Sequence, residues 1–242
     1  MKFLDKNESF EPSFLLEGAA LLVDKPEGWT SFDLVNKVRS AIRKATGVKK
    51  VKVGHSGTLD PMATGLLIVC TGSHTKKLAD FQLLGKSYSG TIKLGATTPS
   101  YDRETPIDET YPTDHITLDM LDETRRKLTG EQEQYPPMFS AIKVDGQPLY
   151  KKARAGKVVE VTPRPVNIYE FELTKIEMPR VDFFVRCSKG TYVRSLAYDF
   201  GKLLSSGGYL TRLERLAIGE FKLQNAWHLE DLVRQINWNS NL

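Results

Sequence analysis

The chain has 242 residues, of which 40% are hydrophobic and 26% charged, and these are the proportions of a folded globular protein. Its formal net charge is +4, so the composition is compatible with a polyanionic partner but does not require one. Two cysteines, Cys70 and Cys187, lie far apart in apolar segments, which predicts buried free thiols rather than a disulfide framework. Charges interrupt the first residues and no apolar run has the length of a membrane span, so we expect a cytoplasmic protein.

The first elements follow from periodicity and capping signals. Residues 1–17 are polar and are expected to form a frayed or covering arm. A strand is predicted at 18–23, followed by a turn-rich segment. Thr30 and Asp33 have the spacing of a capping box, with Asp in place of Glu, and Gly47 is a typical helix stop. The pattern therefore predicts one amphipathic helix between these signals.

The next segment, residues 54–70, reads GHSGTLDPMATGLLIVC and follows the basic run 49–52. The position of that run favours phosphate contact, although charge runs more often form a solvated face. Gly57 permits a backbone conformation closed to other residues, while Pro61 fixes its own φ and holds Asp60 extended. The segment predicts a restrained loop that presents one carboxylate, followed by a buried strand at its apolar end. From local pattern alone, an ordinary Asp-Pro turn is the alternative.

The second half of the chain is also mixed. Hydrophobic patterns predict helices near 73–84, 117–128, 191–204 and 228–236. They predict strands near 86–94, 166–176, 181–188 and 210–216. In the helix near 191–204, Thr191 is the expected N-cap, and Leu196, Phe200 and Leu203 are expected on the inner face. A phosphate-binding P-loop ending at Gly85-Lys86-Ser87 is excluded, because its template requires glycine where Asp80 stands.

Two of these motifs resemble the tRNA pseudouridine-55 synthases, the bacterial tRNA pseudouridine synthase B family. GHSGTLDPMATGLL is similar to the family signature, whose aspartate is the essential catalytic residue and matches Asp60. KGTYVRSLAYDFG resembles the motif in which an arginine pairs with that aspartate. The resemblance therefore implies that Arg194 lies next to Asp60 and that Tyr192 lies in the pocket. The segment from Lys86 resembles the motif KxYxxxxxLG, so Tyr88 matches the tyrosine that packs against the target base and is implicated in proton transfer.

The resemblance implies further contacts with RNA. His55 matches a histidine that contacts RNA or fills the space left by a flipped base, and Gly57 permits close approach of a ligand. Lys25, in the turn-rich segment after the first strand, and Asp102, where the family often has an acidic residue, are the remaining expected substrate contacts. Residues 135–163 resemble a mobile insertion that closes over bound RNA, and a surface hairpin is the alternative.

The implied fold is α/β (α+β), with a mixed, largely antiparallel central sheet and flanking helices, as in pseudouridine synthases. We expect one catalytic domain over residues 1–242 that includes the insertion. The bacterial family usually continues into a small C-terminal RNA-binding domain. Because few residues follow Ile218, we expect that domain to be absent or vestigial.

The implied function is that of an isomerase, a tRNA pseudouridine(55) synthase acting on the T-loop uridine. The reaction breaks the bond between the base N1 and the sugar, turns the base and rejoins it through C5. It requires a carboxylate near C1′ and C2′, which acts as nucleophile or as base, so glycal and covalent-ester routes both stay open. The target base must be flipped out of the folded RNA, and stacking on an aromatic ring recovers part of that cost.

The expected partner is the T-stem-loop of tRNA, bound by a monomer without a cofactor, a membrane or a required protein partner. No metal is expected, because the four histidines are scattered and none pairs with a cysteine at zinc-ligand spacing. One competing hypothesis is an RNA-binding or RNA-folding protein with the same fold and no catalysis. Another is a glycosidase, which normally requires two acidic residues where the core motif has one.

Overall fold

The computed structural model describes residues 3–140, 142–144, 146–156, 159 and 161–238. They form two compact units, of which unit 1 consists of Met1–Tyr88 and Glu214–Leu242 and unit 2 of Ser89–Leu213. The α-helices among the described residues are α1 Phe14–Glu17, α2 Ser31–Thr46, α3 Leu78–Leu83, α4 Leu118–Lys127, α5 Leu149–Arg154, α6 Val193–Leu203 and α7 Leu229–Trp238. Short 3-10 helices lie at Gly72–Lys77 and Leu223–Asn225.

The strands among the described residues are β1 Phe3–Leu4, β2 Ala20–Lys25, β3 Val53–His55, β4 Thr64–Thr71, β5 Lys86–Leu94, β6 Ala96–Thr97, β7 Glu109–Thr110, β8 Gly130–Gln134, β9 Lys143–Val144, β10 Gln147–Pro148, β11 Arg164–Glu177, β12 Arg180–Cys187, β13 Gly208–Ile218, β14 Phe221–Lys222 and β15 Trp227–His228. The chain passes from unit 1 to unit 2 within β5 and returns within β13. The predicted mixed α/β fold, with largely antiparallel strands and flanking helices, is confirmed.

Unit 1 is built on the antiparallel pair β2 and β4, with Ala20 opposite Cys70 and Lys25 opposite Gly65. The apolar end of β4, Leu66–Cys70, has no exposed surface, as the sequence predicts. Strand β3 pairs antiparallel with the last residues of β4, and the end of β13 pairs parallel with its first residues. Strands β1 and β15 both pair parallel with β2. Strand β4 is therefore the central strand of this unit.

The N-terminal residues pack into the core of unit 1, so of the two predicted alternatives the frayed arm was wrong and the covering arm agrees with the structure. Leu4 in β1 and Leu15 in α1 are fully buried, and Phe10 is nearly so. These apolar residues follow neither a helical nor a strand period. Their burial therefore depends on packing against distant elements rather than on a local pattern.

Helix α2 begins and ends as its sequence predicts. The Thr30 hydroxyl accepts a hydrogen bond from the Asp33 amide, and the Asp33 carboxylate accepts one from the Thr30 amide, each at 3.0 Å. Gly47 ends the helix in the left-handed conformation, at φ +71°. Leu34, Val38 and other apolar residues of its inner face share one cluster with buried leucine and isoleucine of α7.

In unit 2, β11 pairs antiparallel with both β12 and β8. The rings of Phe171, Phe183 and Phe200 meet edge to face, with centroids 5.9 Å and 5.7 Å from Phe171, and join the sheet to α6. Two predictions for α6 were wrong: Leu203 is 51% exposed, while Leu204 is buried in its place, and the N-cap is Tyr192. The Thr191 hydroxyl donates to the Ser188 carbonyl instead, because the turn before the helix uses it.

Part of the predicted insertion at 135–163 lies outside the described residues, namely Ala141, Asp145, Lys157, Val158 and Glu160. The described part contains the antiparallel pair β9 and β10, followed by α5. Closure of this segment over RNA and the single catalytic domain over 1–242 both stay predictions.

The cysteines are free and buried, as predicted. Burial raises the pKa of the Cys70 thiol to about 12, so this group is a poor nucleophile. Among the described helices, none is long and apolar enough to cross a membrane.

Gly201 in α6 allows a test of the packing in unit 2. A Cβ at this position would lie 2.2 Å from the Gly207 carbonyl carbon and 2.2 Å from the Gly208 nitrogen. In an exposed helix Gly→Ala stabilises by about 1 kcal/mol, but here overlap with backbone reverses the sign. We expect Gly201→Ala to lower the free energy of unfolding by about 1–3 kcal/mol in urea titrations. Lys202→Ala, at an exposed position, is the control, and an unchanged midpoint for Gly201→Ala would contradict the packing described.

Candidate active site

The segment predicted to carry the chemistry forms an irregular loop, residues 56–63, between β3 and β4. It is attached to β4 by the Ser56 amide, which donates to the Ile68 carbonyl at 3.0 Å. At the tip, the Asp60 carbonyl accepts a hydrogen bond from the Ala63 amide at 3.0 Å, which closes a β-turn with Pro61 in its second position. Asp60 itself is partly buried. The loop therefore presents this carboxylate on a restrained backbone, as predicted.

Helix α2 and the segment before it hold the loop on both sides of Asp60. The Ser31 hydroxyl accepts from the Leu59 amide at 2.9 Å and lies 3.2 Å from the Leu59 carbonyl, to which it can donate. The Gly28 amide donates to the Pro61 carbonyl at 2.8 Å. Because these bonds reach the residues immediately before and after Asp60, the backbone position of Asp60 is set by the start of α2 and by the turn before it.

Lys25, an expected RNA contact, is fully buried at the end of β2. Its ammonium donates to the carbonyls of Pro26 and Trp29 at 2.8 and 2.7 Å and lies 3.5 Å from the Pro61 carbonyl. Burial lowers the pKa of Lys25 to about 8, while the negative charge of Asp60 opposes this decrease. The described hydrogen bonds of Lys25 are internal, and its contact with RNA stays a prediction.

Arg215 in β13 is a residue of this site that the sequence reading missed. It is almost fully buried, and its guanidinium donates to the Leu66 carbonyl at 2.7 Å and to the Gly57 carbonyl at 3.2 Å. A signal was present, because residues two apart in a strand share a face and Arg215 shares that of the buried Leu213. A charged residue on an apolar face marks a position that requires a specific partner.

His55 and Gly57 lie at the start of the loop, beside Arg215. Gly57 has φ +123°, which favours glycine, and its carbonyl is one of the acceptors of Arg215. Burial lowers the pKa of the His55 imidazole, a backbone hydrogen bond with Gly57 opposes this, and the charge of Arg215 adds to it. The lowered pKa favours the neutral imidazole, and the contact of His55 with RNA stays a prediction.

Tyr88, the predicted aromatic partner of the target base, is in β5 at the last position of unit 1. It is 8% exposed. Its role toward a flipped base stays a prediction.

Arg194 and Asp102 come together inside unit 2. The Arg194 guanidinium donates to the carbonyls of Ser100 and Phe139 at 3.1 and 2.9 Å, and its Nε lies 3.6 Å from Asp102 Oδ2. The other oxygen of Asp102 accepts from the Ser100 hydroxyl at 2.6 Å and the Glu104 amide at 2.8 Å. Both side chains are buried. Asp102, expected to contact substrate, thus contributes to the position of Arg194, while the pairing of Arg194 with Asp60 stays a prediction.

Two further contacts that the sequence reading missed orient α6. The side-chain amide of Gln134 forms two hydrogen bonds with the backbone of Tyr192. It accepts from the Tyr192 nitrogen at 2.7 Å and donates to the Tyr192 carbonyl at 3.1 Å. One turn beyond Arg194, the ring of Tyr198 stacks on Tyr101 with centroids 4.1 Å apart. Tyr101 has φ +62°, so this stack supports an uncommon backbone conformation next to Asp102. Helix α6 therefore contacts two consecutive loop residues.

Within the described part of the chain, no group of three or more His, Cys, Asp or Glu side chains has the arrangement of a metal site. The chemistry available in unit 1 is that of one carboxylate with nearby buried cations, and in unit 2 that of a guanidinium held by carbonyls and a carboxylate.

The sequence and the fold of this chain are similar to those of known proteins. A tRNA pseudouridine synthase B of Flavobacterium johnsoniae is 54% identical, over 89% of this chain and 94% of that protein. The protein of the same name from Chlorobaculum tepidum is 46% identical, over 91% of each chain. In a solved structure described as a Cbf5-Nop10-Gar1 complex, one chain is 27% identical with a TM-score of 0.67. That match covers 95% of this chain and 59% of the solved chain.

The fold and the aspartate loop define the class of pseudouridine synthases. The family model described as TruB family pseudouridylate synthase (N terminal domain) matches residues 43–193, which include the loop and end at Val193, the first residue of α6. The chain belongs to the TruB family, as the two sequence motifs predicted.

The lowered pKa of Lys25 predicts a pH dependence of stability. Between about pH 8 and the ordinary lysine pKa of about 10.4, the unfolded chain binds more protons than the folded one, so folding becomes more favourable as pH rises. We expect the free energy of unfolding of the wild type, minus that of Lys25→Met, to increase from pH 7.5 to pH 10. The measurement is urea unfolding at each pH. For Lys222→Met, at an exposed position, the difference from the wild type should not depend on pH. A difference between the wild type and Lys25→Met that stays constant with pH would contradict the burial of the charge.

Proposed function

We propose that this chain is a tRNA pseudouridine synthase that isomerises the T-loop uridine at position 55 of tRNA to pseudouridine. The observation that carries the proposal is the family signature with Asp60 in a loop whose backbone is fixed on both sides of the carboxylate. Relatives named tRNA pseudouridine synthase B, about half identical over most of the chain, support the substrate. The activity is that of an isomerase.

The reaction assigned to Asp60 is balanced within the substrate. The bond between uracil N1 and C1′ breaks, a bond between C5 and C1′ forms, the proton leaves C5, and N1 gains a proton. No oxidant, reductant or energy donor takes part. Asp60 acts at the sugar, either as nucleophile at C1′ or as base at C2′. A backbone that is already ordered reduces the reorganisation needed to reach the reactive geometry.

The buried cations of unit 1 support this assignment. Lys25 interacts electrostatically with Asp60, and Arg215 donates to the loop through the Gly57 carbonyl. Positive charge in a site that excludes water stabilises a negatively charged group nearby more than it does in bulk solvent. In the proposed complex Arg194 pairs with Asp60, and the carbonyls of unit 2 that bind its guanidinium limit its freedom.

Base flipping gives the aromatic residues their proposed roles. The flipped uracil stacks on Tyr88, which recovers part of the cost of unstacking it. His55, neutral because burial lowers its pKa, fills the space that the base leaves. Gly57 allows close approach of RNA, Tyr192 lines the pocket, and residues 135–163 close over the bound stem-loop. The enzyme acts as a cytoplasmic monomer.

The test is release of tritium from an unmodified T-stem-loop RNA labelled at C5 of uridine. We expect Asp60→Ala to lower the rate of release at least about a thousandfold, because the group that acts at the sugar is absent. RNA binding should stay within about tenfold, since it rests on phosphate and stacking contacts. Asp80→Ala, at an exposed position on α3, is the matched control and should release tritium at the wild-type rate.

The other outcomes point elsewhere. Tight RNA binding without release by the wild type would favour the RNA-folding hypothesis. A loss of binding by Asp60→Ala much beyond tenfold would remove Asp60 from the chemical step and make it a binding residue.

A further inference from the structure

Positive charge is concentrated in one part of unit 1. Between Asp33 and Asp60 the sequence contains no acidic residue. The cationic side chains in this interval are Lys37, Arg39, Arg43, Lys44, Lys49, Lys50 and Lys52. The net charge of the whole chain is only +4, so this interval alone is more positive than the protein as a whole. A local excess of this kind attracts a polyanion to one face rather than to the whole surface.

A groove of about 510 Å³ lies beside the end of this interval. Lys50 and Lys52, in the segment before β3, line it together with Lys76, in the 3-10 helix after β4. We call it the lysine groove. The Gly72 amide donates to the Lys52 carbonyl at 3.0 Å, which fastens the two segments to each other. The three cations are therefore brought together by the fold, although Lys76 is distant from the others in sequence.

The charge of the lysine groove is not balanced within the described residues. Lys50, Lys52 and Lys76 are exposed, and none of them forms an ion pair there, whereas the neighbouring Lys77 pairs with Asp80 at 3.9 Å. Glu17 is the single acidic residue among those that line the groove. Like charges held close together repel each other, and an anion that binds between them removes this cost.

The two hydroxyl side chains of the groove, Ser73 and Thr75, already donate hydrogen bonds within the protein. The Ser73 hydroxyl donates to the Glu17 carbonyl at 2.7 Å, and the Thr75 hydroxyl donates to the Gly72 carbonyl at 2.8 Å. The lysines are therefore the principal side-chain donors toward a ligand. Flexible ammonium groups without a shaped polar cage bind the phosphates of a nucleic acid backbone independently of base sequence.

The lysine groove is remote from Asp60 along the strand that joins them. Strand β4 begins at Thr64, just after the catalytic loop, and ends at Thr71, beside the groove. At the usual rise per residue, its ends are about 23 Å apart. An RNA that occupies both places therefore contacts the groove through backbone that is remote from the target uridine.

We propose that the lysine groove binds backbone phosphates of the substrate tRNA outside its T-stem-loop. The inference rests on the proposed function and adds to it a second contact, which sets affinity for whole tRNA and takes no part in the chemistry. It accounts for the separation between the groove and Asp60.

The test compares two substrates and two variants with the same change in charge. The groove variant is Lys50→Glu/Lys52→Glu/Lys76→Glu, and the control is Lys127→Glu/Lys202→Glu/Lys222→Glu, at exposed positions that do not line the groove. Tritium release is measured on full-length tRNA and on a T-stem-loop of five base pairs. For the groove variant we expect KM for tRNA to rise on the order of tenfold or more at low salt, with kcat unchanged. Release from the stem-loop should equal that of the control.

Salt dependence separates phosphate contact from a structural effect. We expect the slope of log binding constant against log salt for tRNA to decrease by about 2 in magnitude in the groove variant and to stay unchanged in the control. A Gln triple variant at the same positions, which removes charge without reversing it, should lie between wild type and the groove variant. Circular dichroism of each variant establishes that it is folded.

Two results would overturn the inference: equal behaviour of groove and control variants on tRNA at every salt concentration, or equal weakening on both substrates. The second result would place the contact within the T-stem-loop, which both substrates contain. If the wild type releases no tritium from either RNA, the proposed function fails, and direct binding of tRNA by the same variants still decides whether the groove contacts it.

Discussion

The loop that carries Asp60 is held by hydrogen bonds to its backbone, and these bonds come from elements that are far apart in sequence. Ser31 of α2 holds Leu59, and Arg215 of β13 holds Gly57. The Gly28 amide, from the turn after β2, holds Pro61. Because these bonds are made to backbone groups, they order the loop without themselves engaging the Asp60 carboxylate. Formation of this loop therefore requires both chain segments of unit 1, including the return of the chain through β13.

The same arrangement places two cations out of contact with water. Lys25 and Arg215 are buried, and their described hydrogen bonds lead to carbonyl oxygens of the loop and its neighbours. Burial of charge costs free energy, which these bonds and the nearby Asp60 offset in part. The lowered pKa of Lys25 is a measure of the cost that remains. Local instability of this kind is common where a site is arranged for reaction rather than for maximum stability.

Chemistry and affinity depend on different parts of the molecule. In the proposed mechanism one carboxylate reacts, an aromatic ring holds the detached base, and no cofactor supplies binding energy. Affinity for a large RNA must then come from phosphate contacts, which are additive and sensitive to salt. In the proposed complex, the basic interval before the loop and the lysine groove beside β4 provide such contacts without placing more charge at the reacting atoms. In this proposal, substitutions of the basic residues can change the affinity for tRNA while the loop that carries Asp60 stays the same.

Local features of this protein were determined by the sequence itself. The capping box at Thr30, the stop at Gly47 and the burial of β4 depend on residues within a few positions of one another, and the family signature around Asp60 is one continuous segment. Tertiary structure decided what depends on long-range contacts. The bond between Arg215 and Leu66 joins residues 149 positions apart, and the one between Gln134 and Tyr192 spans 58, which no local pattern encodes. The burial of the N-terminal arm and the exposure of Leu203 also depend on long-range contacts, because each is determined by which distant part of the chain packs against these residues.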